Sequence, residues 1–171
     1  MERIQSKLTP VYDEHSKILI LGSFPSVKSR EQNFFYGHPQ HRFWRVLPSL
    51  FGEEVGSVAE KKDFLLRRRI ALWDVIDSCE IKGSSDGSIE NVKANDLTKI
   101  LSEADIRAIF CNGAAAKKWY DKLLRGTLGR EAVQLPSTSP ANARSSLADL
   151  TRRYGDALLP YLMDSDRADG S

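Results

Sequence analysis

Four short apolar runs, separated by segments of helical period, constrain this chain more than any other feature. Lys17–Gly22 (KILILG) is apolar at every interior position and ends in glycine, as a parallel strand buried on both faces should. Ile70–Ile76 (IALWDVI), Ile106–Asn112 (IRAIFCN) and Ala132–Leu135 (AVQL) read the same way. Between them, Ser57, Val58, Ala59 and Glu60 form a capping-box sequence that opens a helix to about Arg68. Asn95 or Asp96 can cap a helix with Leu97, Ile100, Leu101 and Ala104 on one face, and Ala116, Tyr120, Leu123 and Leu124 repeat that stripe after Gly113. Ser139 ahead of Pro140 predicts another helix start, with Leu147 and Leu150 inside it.

Strands alternating with helices predict the α/β class: a three-layer α/β/α sandwich around a four-stranded, mostly parallel sheet. Such sheets bind ligands beyond the carboxyl ends of their strands. That rule singles out residues 23–29, 74–88, 112–115 and 137–142. The stretch Gly83–Ser88 (GSSDGS) reads as a loop, either part of a site or a plain connector.

The 171 residues suit one domain, with about residues 1–10 and 164–171 expected to fray because they carry no period. No apolar run approaches the roughly 18 residues of a membrane span. The opening MERIQSKLTP has no apolar h-region, so the expected location is the cytoplasm, with no membrane partner. Cys79 and Cys111 are too few and too isolated for a disulfide framework, a zinc site or an iron–sulfur cluster, and no metal or other cofactor is expected. A formal charge of +2 neither demands nor excludes nucleic acid. Any case for it must come from local segments.

Two segments carry such a case. Gly22–Trp44 (GSFPSVKSREQNFFYGHPQHRFW) crowds aromatics, two prolines and an HPQH run after the first strand. Phe43 and Trp44 open a helical pattern with Leu47, but Phe34, Phe35 and Tyr36 follow neither period. Aromatics in a loop beside Lys28, Arg30 and Arg42 suit stacking on a nucleobase next to phosphates. Leu135–Arg144 (LPSTSPANAR) is stiffened by two prolines and carries three hydroxyls ahead of an expected helix N-terminus, which favours an anion.

GSFPS, HPQHRFW, ALWDV, FCNG and LPSTSPAN, in this order from about Tyr12 to about Tyr161, resemble the hypoxanthine-DNA glycosylase group, family 6 of the uracil-DNA glycosylase superfamily. The resemblance implies a four-stranded parallel sheet between helices, agreeing with the periodicity. It also implies excision of deaminated bases from double- or single-stranded DNA, without cofactor, by a monomer. Phe24 stands where distant relatives carry a catalytic Asn or Asp, and Ser137 where they carry a His. The group's catalytic asparagine, from an HPxNRFW motif, is here His41, a departure from the pattern. A second asparagine of the group matches Asn112, and Tyr36 matches a base-stacking phenylalanine of mismatch-specific relatives.

Cleaving an N-glycosidic bond builds positive charge on the sugar and negative charge on the base. The enzyme must hold a water and hydrogen-bond the departing base. His41 and Asn112 are the expected catalytic pair, the neutral imidazole of His41 accepting a proton from water. Ser23, Phe24, Tyr36 and Asp74 are expected at the base. Ser137, Ser139, Pro140, Asn142 and Arg144 are expected to enter the minor groove and grip phosphates. No lysine stands in a matched position, so a free base and an abasic site are the expected products. Hypoxanthine is the expected base, with uracil or xanthine as alternatives. A lesion-binding relic that does not cut is a further one, and a small-molecule hydrolase has no Gly-x-Ser-x-Gly elbow to support it.

Overall fold

The computed structural model describes residues 3–81 and 89–170, the last seven as backbone only. The segment Gly83–Ser88 lies outside the described residues. In chain order the elements are β1 Arg3–Gln5, β2 Ile18–Gly22, α1 Val27–Gln32, α2 Phe43–Ser49, α3 Val58–Arg67, β3 Ile70–Asp74 and β4 Ile76–Ile81. There follow β5 Ile89–Ala94, α4 Thr98–Glu103, β6 Ala108–Asn112, α5 Ala114–Leu123, α6 Arg125–Leu128, β7 Val133–Leu135 and α7 Leu147–Gly170. Among the described residues no helix is long and apolar enough to cross a membrane.

The main sheet has the order β3-β2-β6-β7 and every pairing in it is parallel. All five residues of β2 are buried, as an apolar run in a central strand requires. Its side chains alternate between two cores. Ile18 and Ile20 pack with Phe43, Leu47, Phe64, Leu150 and Tyr154 from α2, α3 and α7. Leu19 and Leu21 pack with Ile100, Ala116 and Tyr120 from α4 and α5. That alternation makes the three layers. The capping box at Ser57 is present, with Ser57 Oγ accepting from the Glu60 amide and Glu60 accepting from the Ser57 amide.

Two expectations differ from the structure. The apolar run Ile70–Ile76 does not remain one strand. At Val75 the chain leaves the parallel sheet, its amide bonding the Gly22 carbonyl at 2.8 Å, and enters a small antiparallel sheet of order β1-β4-β5. Charged and serine residues interrupt the apolar alternation of β4 and β5, so this hairpin was not visible as strands. No helix begins at Ser139-Pro140 either; α7 starts at Leu147, where Ser146 Oγ accepts from the Asp149 amide at 3.0 Å. Toward the two ends of the described residues, Arg3–Gln5 pairs with β4 and the backbone of α7 is helical to Gly170.

Ile20 is fully buried at the centre of the sheet. Ile20→Ala should lower unfolding stability by about 2–5 kcal/mol in urea titrations.

Candidate active site

The carboxyl ends of β2, β3 and β6 converge on Gly22, Asp74 and Asn112, and the segments that follow them enclose a cavity of about 410 Å³. That volume lies in the range of small-ligand sites. Ser23, Phe24, Tyr36, His41, Asp74, Asn112, Ser137 and Ser139 all line it, so residues 116 positions apart in sequence share one wall. Gly22 is required by close approach. A Cβ there would lie 2.5 Å from Asp74 Oδ1 and 3.0 Å from the Tyr36 hydroxyl. Only a bare Cα lets the carboxylate and the phenol share the cavity floor.

Asp74 is 4% exposed. Tyr36 adopts a left-handed backbone (φ 55°) that turns its ring inward, against His41 at 4.7 Å and Phe43 at 4.2 Å between centroids. Burial, reinforced by the charge of Asp74, raises its hydroxyl pKa well above the ordinary value, so it stays a neutral donor. Phe24 forms a second aromatic wall, with the Arg30 guanidinium 5.7 Å from its centroid.

Thr138, which the sequence reading passed over between its two flanking serines, is the centre of the site. It is fully buried. Its amide donates to Asn112 Oδ1 at 3.0 Å, and Asn112 Nδ2 donates to its Oγ1 at 2.8 Å. The same Oγ1 lies 2.7 Å from His41 Nε2. The nitrogen Nε2 is therefore bonded within the protein, which leaves Nδ1 as the other polar atom of the ring. Burial, with the charges of Arg42 and His38 adding to it, lowers the His41 pKa to about 4. The ring is neutral near pH 7. Burial also pushes the Cys111 thiol up to about 12, so it offers no thiolate.

Arg42, expected beside phosphates, is committed elsewhere. Its guanidinium donates to the carbonyls of Ser139 at 2.7 Å, Asn142 at 2.9 Å, Thr138 at 3.4 Å and Ser145, and its own amide donates to Thr138 O at 3.1 Å. This fork takes carbonyls that a helix from Ser139 would have used, which is why the expected helix start is a folded loop. Asn142 is turned inward too, donating to Ser137 O at 2.9 Å and to Ser145 Oγ at 3.3 Å. Pro140 and Arg144 stand exposed on the outside of this loop, not in the cavity wall, and Arg144 makes no hydrogen bond or ion pair among the described residues. Phe34 and Phe35 are 4% and 2% exposed and pack in the core beside Trp44, whose Nε1 donates to Phe35 O; Phe35 also lines the cavity, and Phe34 does not. Lys28 pairs with Glu31 on the surface. Among the described residues no group of three His, Cys, Asp or Glu is arranged to hold a metal ion.

Comparison with known proteins gives a consistent result. Residues 9–162 match the Uracil DNA glycosylase superfamily. Over 139 residues the chain is 40% identical to a hypoxanthine DNA glycosylase of Methanosarcina acetivorans and 36% identical to one of Methanosarcina barkeri. Each match covers 80% of this chain and 87% of the relative. The solution NMR structure of a candidate uracil DNA glycosylase from Methanosarcina acetivorans superposes with a TM-score of 0.76 at 35% identity. It covers 91% of this chain and 96% of its own.

The depressed pKa of His41 makes stability depend on pH in a defined window. The unfolded ring takes a proton below about 6.5, whereas the folded ring resists until about 4. The contribution of His41 should be flat above about pH 7.5, fall as pH drops from 6.5 to 4, and level off below. Urea unfolding at pH 7.5 and pH 5 should show a loss about 1–2 kcal/mol greater for wild type than for His41→Asn.

Proposed function

The chain belongs to the uracil DNA glycosylase superfamily, and on that premise we propose that it is a monofunctional DNA-repair glycosylase that takes a deaminated purine, chiefly hypoxanthine, into the cavity and hydrolyses its N-glycosidic bond. The observation that carries this reading is the convergence of Asp74, Asn112 and His41 on one cavity walled by Phe24 and Tyr36. A base inside a duplex cannot reach such a site unless it is turned out of the stack.

The edge of the base is the natural target of Asp74. Deaminated bases carry a ring N–H beside a carbonyl, whereas adenine and cytosine carry an acceptor nitrogen there. A carboxylate accepts from the first and is repelled by the second. Phe24 and Tyr36 supply the aromatic contact, and the main chain at Ser23 lines the opening. Asn112 has one lone pair on Oδ1 and one proton on Nδ2 left after its bonds to Thr138. The lone pair can hold the attacking water. Among the described residues no lysine lines the cavity.

The loop bearing Ser137, Ser139, Pro140 and Asn142 is held in shape by Arg42, so its exposed tip is preformed to enter the groove and occupy the gap left by the extruded nucleotide. Arg144, exposed and uncommitted, meets a phosphate. A single chain contains the whole site, and we propose that it acts as a monomer on duplex or single-stranded DNA.

The base reader is tested with duplexes carrying deoxyinosine, deoxyuridine or deoxyadenosine, scored by alkali-labile sites. Wild type should cut deoxyinosine fastest. Asp74→Ala should lose about tenfold or more on deoxyinosine, and Asp74→Asn, whose amide can donate to adenine, should narrow the inosine-to-adenosine ratio. Equal cutting of uracil and hypoxanthine would remove the purine preference, and unchanged ratios in both variants would take Asp74 off the base.

Arg144→Ala should weaken binding to any duplex and reduce the slope of log affinity against log salt by roughly one. An unchanged slope would take Arg144 out of the interface.

A further inference from the structure

We infer that Thr138 is a positioning residue whose hydroxyl fixes the tautomer of His41, so that His41 meets the departing base as an N–H donor at Nδ1. The inference rests on the glycosylase reading for the base, but the tautomer itself follows from hydrogen-bond accounting alone.

A threonine hydroxyl has one proton to give and two lone pairs to receive with. Asn112 is not free to choose its orientation, because the Thr138 amide donates to its Oδ1 at 3.0 Å. Its Nδ2 must then face Thr138 Oγ1, 2.8 Å away, and the hydroxyl accepts there. Among the described residues the hydroxyl proton is left with one acceptor within reach, His41 Nε2 at 2.7 Å. Thr138 is fully buried, so no bulk water can take that proton instead. The opposite assignment would aim the Nε2 proton at a hydroxyl whose own proton has nowhere to go, and a buried donor without an acceptor is costly. The relay therefore runs Asn112 to Thr138 to His41, and the neutral ring carries its proton on Nδ1.

Protonating His41 would place a second proton between Nε2 and Oγ1 and break the relay. This agrees with the lowered pKa of the ring. Tyr36, stacked 4.7 Å from the imidazole, holds the plane of the ring. The Nδ1 atom makes no hydrogen bond among the described residues, and His41 lines the cavity. With His41 in the cavity wall, the proposed role sets this fixed N–H against a purine held there. When the bond from the sugar carbon to N9 breaks, its electron pair stays on the base, and the charge spreads to the ring nitrogens and the carbonyl oxygen. A donor set in place beforehand stabilises that charge without transferring a proton. Water adds to the sugar carbon and releases its proton to solvent, and the base leaves to be protonated there. His41 remains neutral throughout.

The test combines ring-nitrogen NMR with single-turnover kinetics on a deoxyinosine duplex. In histidine-labelled protein, long-range proton–nitrogen correlations should show His41 protonated at Nδ1 and bare at Nε2. Thr138→Ser keeps the hydroxyl; it should keep that tautomer and cut within about threefold of wild type. Thr138→Val removes only the hydroxyl while conserving shape. It should mix the tautomers and slow cutting roughly tenfold or more, with duplex affinity changed less than about twofold. Finding the proton on Nε2 in wild type overturns the inference, as does a Thr138→Val protein with wild-type tautomer and rate. If wild type cuts no deaminated base, the glycosylase reading falls together with the role at the base, while the NMR assignment still decides the tautomer.

Discussion

The guanidinium of Arg42 and the hydroxyl of Thr138 sit side by side where two loops meet, and the site depends on both. One loop joins α1 to α2 and carries His41; the other follows β7 and carries Thr138. Arg42, next to His41 in sequence, reaches carbonyls of the second loop at Thr138, Ser139, Asn142 and Ser145. Carbonyls turned away from solvent need donors, and a planar fork with five N–H groups can serve several at once. A lysine ammonium could not span the same set with fixed geometry. By satisfying the loop from inside, Arg42 leaves its outer edge of Pro140, Ala141, Ala143 and Arg144 exposed to whatever binds there.

The floor of the cavity rests on a different constraint, the close approach of three strand ends. Gly22 and Asp74 are paired across β2 and β3, and Asn112 ends the neighbouring β6. Parallel pairing places these ends at one level, so their polar side chains face one space while the strands behind them are wholly apolar. The small β1-β4-β5 sheet contributes the remaining wall, through Ile81 and Ile89 at the facing ends of β4 and β5. The result is a cavity with apolar sides and a few polar groups already bonded to one another. Preorganised groups of this kind need no rearrangement when charge develops on a bound base. Tyr154, buried under the second loop, donates to Pro136 O at 2.8 Å and ties α7 to the same region. Stability and function thus share residues at this junction.

Much of this was legible in the sequence because burial writes a local period. The apolar runs at Ile18–Gly22 and Ala108–Asn112 mark strands covered on both faces, and the stripe through Ala116 and Tyr120 marks a helix against them. Parallel pairing then follows from alternation with helices, and the place of the cavity from the carboxyl ends of the strands. That rule singles out the segments holding Ser23, Phe24, Asp74 and Asn112, whereas Tyr36 and His41 lie outside them and are marked only by the motif resemblance. The capping box at Ser57 was equally visible, since its two bonds span only three residues.

What only the tertiary structure decided is who bonds to whom across long separations. Ser137, Thr138 and Ser139 offer three similar hydroxyls in a row, and nothing local distinguishes the one that faces Asn112 and His41. The separation between Thr138 and His41 is 97 residues, and between Arg42 and Ser145 it is 103. Arg42 looks like any exposed cation in sequence, and Phe34 and Phe35 look like loop aromatics until Trp44 and the core close over them. Periodicity records how much of a side chain is buried, which is a property of one segment. Hydrogen-bond partnership is a property of two segments and their relative placement. The sequence by itself therefore determined the layers and the neighbourhood of the site, while the protonation of His41 and the shape of the loop at Ser139 were decided by the packing that brings them together.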